Sequence, residues 1–168
     1  FKMFWTPAFA GVATQETFYE IIFFERRRKL GMPLVVVEKD REILRISLNR
    51  TSALNAINSA VLQELEQGLK QHEFDPTVKS LILFGQGGCF ASGADIRELS
   101  SLDEGGIRKF HELRERTFDL LEKYPCPTLA VIERVALGTG LELALCCDFR
   151  IAANDAKLGV PSAGLGLV

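Results

Sequence analysis

An α/β layered domain with right-handed crossovers is what this sequence predicts. The first reason is alternation: short apolar runs and longer amphipathic runs succeed one another from residue 34 onward. The second is that "SLILFG" and "PCPTLAVIE" are continuous apolar runs, the pattern of strands buried in a parallel sheet. The third is that glycine-bearing turns come after these runs and lead into helical patterns. No internal repeat or low-complexity tract is visible.

Along the chain, "LVVVEKD" and "ILRISLNR" read as two strands, with Lys39, Asp40 and Arg41 as the polar hairpin between them. In the second, Leu44, Ile46 and Leu48 alternate with Arg45, Ser47 and Asn49, the period of a half-buried strand. In "NSAVLQELEQGLKQHEFDP", Asn58 is placed to cap a helix, and Val61, Leu62, Leu65 and Leu69 fall at helical spacing. Asp75 and Pro76 end that segment. "SLILFG" is the next strand, and the loop "GQGGCFASGAD" comes after it. A long helix runs through "IRKFHELRERTFDLLEKY", with Ile107, Phe110, Phe118 and Leu121 on its apolar side. "PCPTLAVIE" stops it and starts a strand; "GTGLELALCCD" is glycines and then a helix; "FRIAA" and "KLGV" are short strands.

Residues 1–31 differ from the rest of the chain. They are aromatic-rich, lack a clean period and end in the basic run Arg26, Arg27, Arg28, Lys29. Lys2 ahead of an apolar stretch ending in "AFAGVA" fits a signal peptide, but Thr6 and Pro7 interrupt the stretch. "ETFYEIIFFERRRKL" fits a short docking helix. "WTPAFAGVAT" resembles translated repeat elements found as spurious gene extensions. The expectation is therefore that residues 1–31 are a non-native or disordered extension, that the native start is Met32, and that residues 32–168 form the functional domain.

Composition narrows the function classes. Of 168 residues, 47% are hydrophobic and 25% charged, which reads as globular and soluble. A net charge of -2 with interspersed signs argues against a nucleic-acid surface, which needs a basic stripe. No apolar run approaches the roughly 18 residues of a membrane span. Cys89, Cys126, Cys146 and Cys147 form no C-x-x-C pair, so neither a metal site nor a disulfide framework is expected, and a cytoplasmic location fits.

The chemistry concentrates in two loops that each deliver the chain into a helical pattern, one with Gly87, Gly88, Gly93 and Ala94, the other with Gly138 and Gly140. Small residues permit close approach of a ligand to backbone, and converging amides from two loops make an oxyanion hole. Glu142 falls about one turn into the second helix, a carboxylate in an apolar run, where burial favours acid–base work. Ordinary turns and a first-turn glutamate explain the same pattern. A phosphate loop fits less well, because "GQGGCFASG" lacks the lysine and hydroxyl of that motif.

"LNRTSALNAIN", "GCFASGADIREL", "ALGTGLELALCCDFRIAA" and "KLGVP" occur in order and at matching spacing. From Leu34 to Val168 the chain resembles the crotonase family, the enoyl-CoA hydratases and isomerases. The resemblance implies a crotonase-like spiral of ββα units, incomplete at the C-terminus, an acyl-CoA substrate, and homotrimers or hexamers of the full-length member. No cofactor is implied beyond the coenzyme A of the thioester. It places the oxyanion amides at Ala94 and Thr139 and the first catalytic glutamate at Glu142. Contacts to substrate and CoA would come from Ser52, Ala53, Leu54, Ala56, Ser92, Gly93, Ala94, Asp95, Ile96, Gly138, Thr139 and Pro161.

The chain departs from the family pattern in side chains and in length. Ser162 occupies the place of the hydratases' second glutamate, Thr139 that of a common glycine, and Arg134 that of a frequent turn glycine. The family continues past the position of Val168 with a further glycine-rich turn and several helices. The chain is thus expected to be an acyl-CoA-processing enzyme of this type, or an inactive or weak acyl-CoA-binding homologue or scaffold. His72 and His111 read as surface residues; Arg97 reads as a solvent-facing charge or a contact to CoA phosphate.

Overall fold

The computed structural model describes residues 32–161; the expectations for residues 1–31 and for Ser162 lie outside them. In chain order the elements are β1 Val35–Asp40, β2 Ile43–Leu48, α1 Ser59–His72, β3 Ser80–Gly85, α2 Ile96–Ser101, α3 Glu104–Glu122, β4 Thr128–Ile132, β5 Val135–Leu137, α4 Thr139–Leu145, β6 Phe149–Ala152 and β7 Lys157–Gly159. A short 3-10 turn, Thr51–Ala53, comes after β2.

The main sheet has the order β1-β2-β3-β4-β6. Only the β1–β2 hairpin is antiparallel, with Val37 opposite Ile46; the other pairs are parallel. Parallel neighbours require crossovers, and α1, α3 and α4 lie in them. One sheet face carries the core: Leu44, Ile46, Leu48, Leu81, Leu83, Ala130 and Ile132 are buried. Against it lie Val61, Leu62, Leu65 and Leu69 of α1, and Phe110, Phe118 and Leu121 of α3. The opposite face of β3 and β4 is only half-buried, so these runs are less covered than their continuous apolar character predicts.

A second layer runs beside the first. Ile57 bridges Ala94, Ala91 bridges Ala136, and β5 pairs with β7, all in parallel. After each of β2, β3, β4 and β6 the chain therefore visits this second layer at residue 57, residues 91–94, β5 and β7 in turn. That is a spiral: main-sheet strand, second-layer segment, helix. It places the carboxyl end of every parallel strand next to the loops that carry the site.

The Asn58 cap is present, its side chain accepting from Val61 N at 2.9 Å. Two expectations need correction. The long helix begins at Glu104, capped by Asp103, rather than near Ile107. Ile107 falls in its first turn and is 38% exposed; the buried stripe starts at Phe110 and includes Leu113 and Thr117. Two elements were not read from sequence, α2 and β5.

Candidate active site

The loop after β2 is locked from within. Leu54 and Asn55 adopt left-handed backbone at φ 50° and 54°. Asn55 is 1% exposed; its amide nitrogen donates to Gln86 O (3.0 Å) and Cys89 O (2.6 Å), and its carbonyl accepts from Arg50 N (2.9 Å). Arg50 reaches across to Asp95, Nη2 to Oδ2 at 2.6 Å, and donates from Nη1 to Ala56 O at 3.0 Å. The Asp95 carboxylate also caps α2, accepting from Arg97 N and Glu98 N. Burial pushes its pKa up, but the Arg50 hydrogen bond and charge and the two amides outweigh it and hold the group below its usual value. Ser92 N donates to Leu54 O (3.0 Å), so residues 52–56 and 92–96 form one wall.

The second loop lies against the first. Phe90 N, Ala91 N and Leu137 N donate to Glu133 O, Val135 O and Ala91 O, each at 3.1 Å. Contact this close needs glycine. A Cβ on Gly140 would meet Ala91 O and Cβ at 2.7 Å, and Gly93, at φ 114°, has Leu137 O at 3.1 Å from its notional Cβ. Ile57 N donates to Gly93 O and Asp95 N to Ile57 O, both at 2.8 Å. Neither bond uses Ala94 N–H, which finds no acceptor among the described residues. Thr139 opens α4 behind Gly138, which offers no side-chain cap, and Thr139 N–H is likewise left without an acceptor there. The positive φ of this turn falls on Gly138 (47°) and not on Thr139, so threonine fits the backbone.

Glu142 lies in the first turn of α4, three residues past Thr139. Its setting corrects the expectation of an apolar burial: the side chain is 40% exposed, and Oε2 accepts from Arg114 Nη1 at 3.2 Å. The reason is the helix face. Leu143 and Ala144 turn into the core, while Glu142 turns toward α3. Cys146 accompanies it, its Sγ donating to Glu142 O at 3.3 Å. Burial first, then the charges of Glu122, Glu142 and Asp119, push this thiol up to about 11 against the opposing pull of Arg114.

The structure brings most of the expected residues into one region. Gly93, with Ala94 after it, lies against Leu137, just ahead of Gly138 and Thr139 at the start of the helix that carries Glu142; Ser92, beside Gly93, bonds to Ala53 and Leu54 of the first loop. Ser52, Leu54 and Ile96 are exposed, the last two at 45% and 62%. Asp95 is committed to Arg50 and to the α2 cap, so its carboxylate is structural. Pro161 is exposed, two residues past Gly159, whose carbonyl accepts from Gly138 N at 2.8 Å. Arg97 and His111 are exposed, while His72 is half-buried, with Nδ1 3.9 Å from Asp75. Sequence reading missed Arg50, Asn55 and Arg114. Asn55 had a signal, a polar residue in a loop between apolar motifs; the partners of Arg50 and Arg114 are too far along the chain to pair by pattern. Among the described residues no group of His, Cys, Asp or Glu is placed to hold a metal, and no helix is long and apolar enough to cross a membrane.

The family described as enoyl-CoA hydratase/isomerase matches residues 38–168. The chain belongs to this family. It is 40% identical over 134 residues to the crotonyl-CoA hydratase of Syntrophomonas wolfei subsp. wolfei, covering 79% of this chain and 52% of that protein. It is 39% identical over 134 residues to the short-chain-enoyl-CoA hydratase of Clostridium acetobutylicum, over 79% and 51%. The enoyl-CoA hydratase structure from Bacillus anthracis superposes with a TM-score of 0.77 at 35% identity, over 80% of this chain and 53% of that one. The spiral is thus that of the crotonase fold, and the chain spans about half the length of the curated relatives it matches. Arg134 is one of four non-glycine residues at positive φ among the described residues. It holds φ 59°, left-handed backbone of the kind a turn glycine adopts freely, in the turn between β4 and β5.

Proposed function

We propose that this chain processes acyl-CoA thioesters as an enzyme of the hydratase/isomerase type. The observation that carries the reading is the pair of unaccepted backbone amides, Ala94 N–H and Thr139 N–H, on adjoining loops, with Glu142 three residues past Thr139 on α4. Two such donors stabilise the oxygen of a thioester as it gains negative charge. Glu142 then exchanges a proton with the substrate carbon: the C–H bond breaks, the proton goes to the carboxylate, and the electron pair stays as the enolate. The exposed rim at Ser52, Leu54 and Ile96 is where coenzyme A would lie, and a cytoplasmic homotrimer or hexamer is the assembly proposed. A second reading, a weak or inactive acyl-CoA-binding homologue, is favoured by Ser162 in the place of a second glutamate.

Calorimetry separates a working oxyanion hole from none. A short-chain 2-enoyl-CoA should bind at least about tenfold more tightly than the same acid and free coenzyme A added separately, because only the thioester engages both amides and the rim. Equal binding of the thioester and of coenzyme A alone removes the amides from recognition.

A further inference from the structure

The Glu142 carboxylate is held on one side only. Arg114 Nη1 takes Oε2, whereas Oε1 has no hydrogen-bond partner among the described residues and is not a buried unsatisfied atom, so it faces open space. The two residues come from different helices, 28 positions apart, and Arg114 is 25% exposed, which makes it a more fixed group than the other arginines of α3. Arg108 and Arg116 on the same helix are 70% and 57% exposed and pair elsewhere, with Glu104 and Glu66. The Cys146 thiol adjoins the Arg114–Glu142 pair and feels the charges of Glu122, Glu142 and Asp119, opposed by Arg114. Among the described residues Arg114 is the cation paired with Glu142.

We propose that Arg114 is a positioning residue for the chemistry assigned above: it anchors Glu142 Oε2 and leaves Oε1 as the oxygen that exchanges the proton. This rests on the reading of Glu142 as the acid–base group. A guanidinium on one carboxylate oxygen fixes the side-chain torsion and disfavours a proton on that oxygen. Without it, the carboxylate swings among rotamers. Misplacement of a reacting group by about 1 Å is enough to cost about 100-fold in rate.

The test compares the parent with Arg114→Met, Arg114→Lys, Glu142→Gln and the double variant Arg114→Met/Glu142→Gln, with Arg108→Met as a charge-removal control on the same helix. Thermal unfolding establishes that each variant is folded. With a 2-enoyl-CoA, Arg114→Met should lose about 10- to 100-fold in kcat with KM changed less than about threefold. Arg114→Lys should recover part of that loss, Arg108→Met should match the parent, and the double variant should be no slower than Glu142→Gln alone. Full kcat in Arg114→Met alongside a dead Glu142→Gln overturns the positioning role and leaves the acid–base reading standing. An unimpaired Glu142→Gln overturns the acid–base reading, and the positioning role with it.

Discussion

Arg134 carries a steric cost that glycine does not. At φ 59° its Cβ crowds the backbone, which costs roughly 1–2 kcal/mol for an L-residue. Its side chain is exposed, so no burial offsets the strain. The carbonyl of the same residue accepts from Lys157 N at 2.8 Å, which ties the strained turn to the start of β7. Arg134→Gly should therefore stabilise the fold by about 1 kcal/mol, reduced by the extra freedom glycine gives the unfolded chain. Urea unfolding of parent and variant checks it; a less stable variant would show that the turn has another support. Asn55 is the contrasting case. It also holds a positive φ, but asparagine tolerates that region, and its amide satisfies a buried and a half-buried carbonyl that no aliphatic side chain could serve.

Among the elements, two aspartates act as ties between spiral turns. Asp95 joins the loop after β2 to α2 through Arg50. Asp148 accepts from Thr128 N (2.8 Å) and Thr128 Oγ1 (2.9 Å), joining the starts of β4 and β6. The Thr128 amide and hydroxyl hold Asp148 below the usual carboxylate range, as Arg50 and the α2 amides do Asp95 against the opposing effect of burial. A carboxylate with a lowered folded value contributes stability above its unfolded value of about 3.9, and that contribution is lost as pH falls through the folded value. The melting temperature should thus drop steeply below about pH 4, and Asp95→Asn should flatten that acid limb while lowering stability at neutral pH. An unchanged acid limb in Asp95→Asn removes it from the linkage. The strands and long helices were legible because their apolar residues repeat at two or at three to four positions. β5 was not, since three residues carry no period and its partner β7 lies some twenty residues on. α2 was missed although its cap was visible: Asp95 precedes Glu98 by three positions, the spacing of a capping pair, inside a stretch already read as ligand loop.

At the scale of the molecule, each turn of the spiral supplies one part of the proposed site. The first gives the rim at residues 52–56, the second Ala94, the third Thr139 and Glu142, and the fourth runs through Gly159, whose carbonyl holds Gly138 N at 2.8 Å. The motifs could be found in sequence because every one comes directly after a strand of the sheet. The pairing of Arg114 with Glu142 could not, because it is made between two helices. Ser162, which lies outside the described residues, stands in sequence where the hydratases' second glutamate is expected. Addition of water across a 2-enoyl thioester needs one group to take a proton from water and another to deliver one to carbon. A shift of the double bond can use a single carboxylate for both transfers. If Glu142 is the acid–base group, as proposed, a serine at position 162 can orient water but does not act as a general acid near neutral pH. The parent chain should therefore hydrate a 2-enoyl-CoA slowly, and Ser162→Glu should raise the rate by on the order of 10²–10⁴. Glu142→Gln should abolish turnover in the parent and return Ser162→Glu to no more than the parent's slow rate, because an amide neither accepts nor delivers a proton there. Loss of enoyl-thioester absorbance measures all four proteins. Brisk hydration by the parent would show that a different group supplies the second proton transfer, and a rate indifferent to Ser162→Glu would remove position 162 from the reaction.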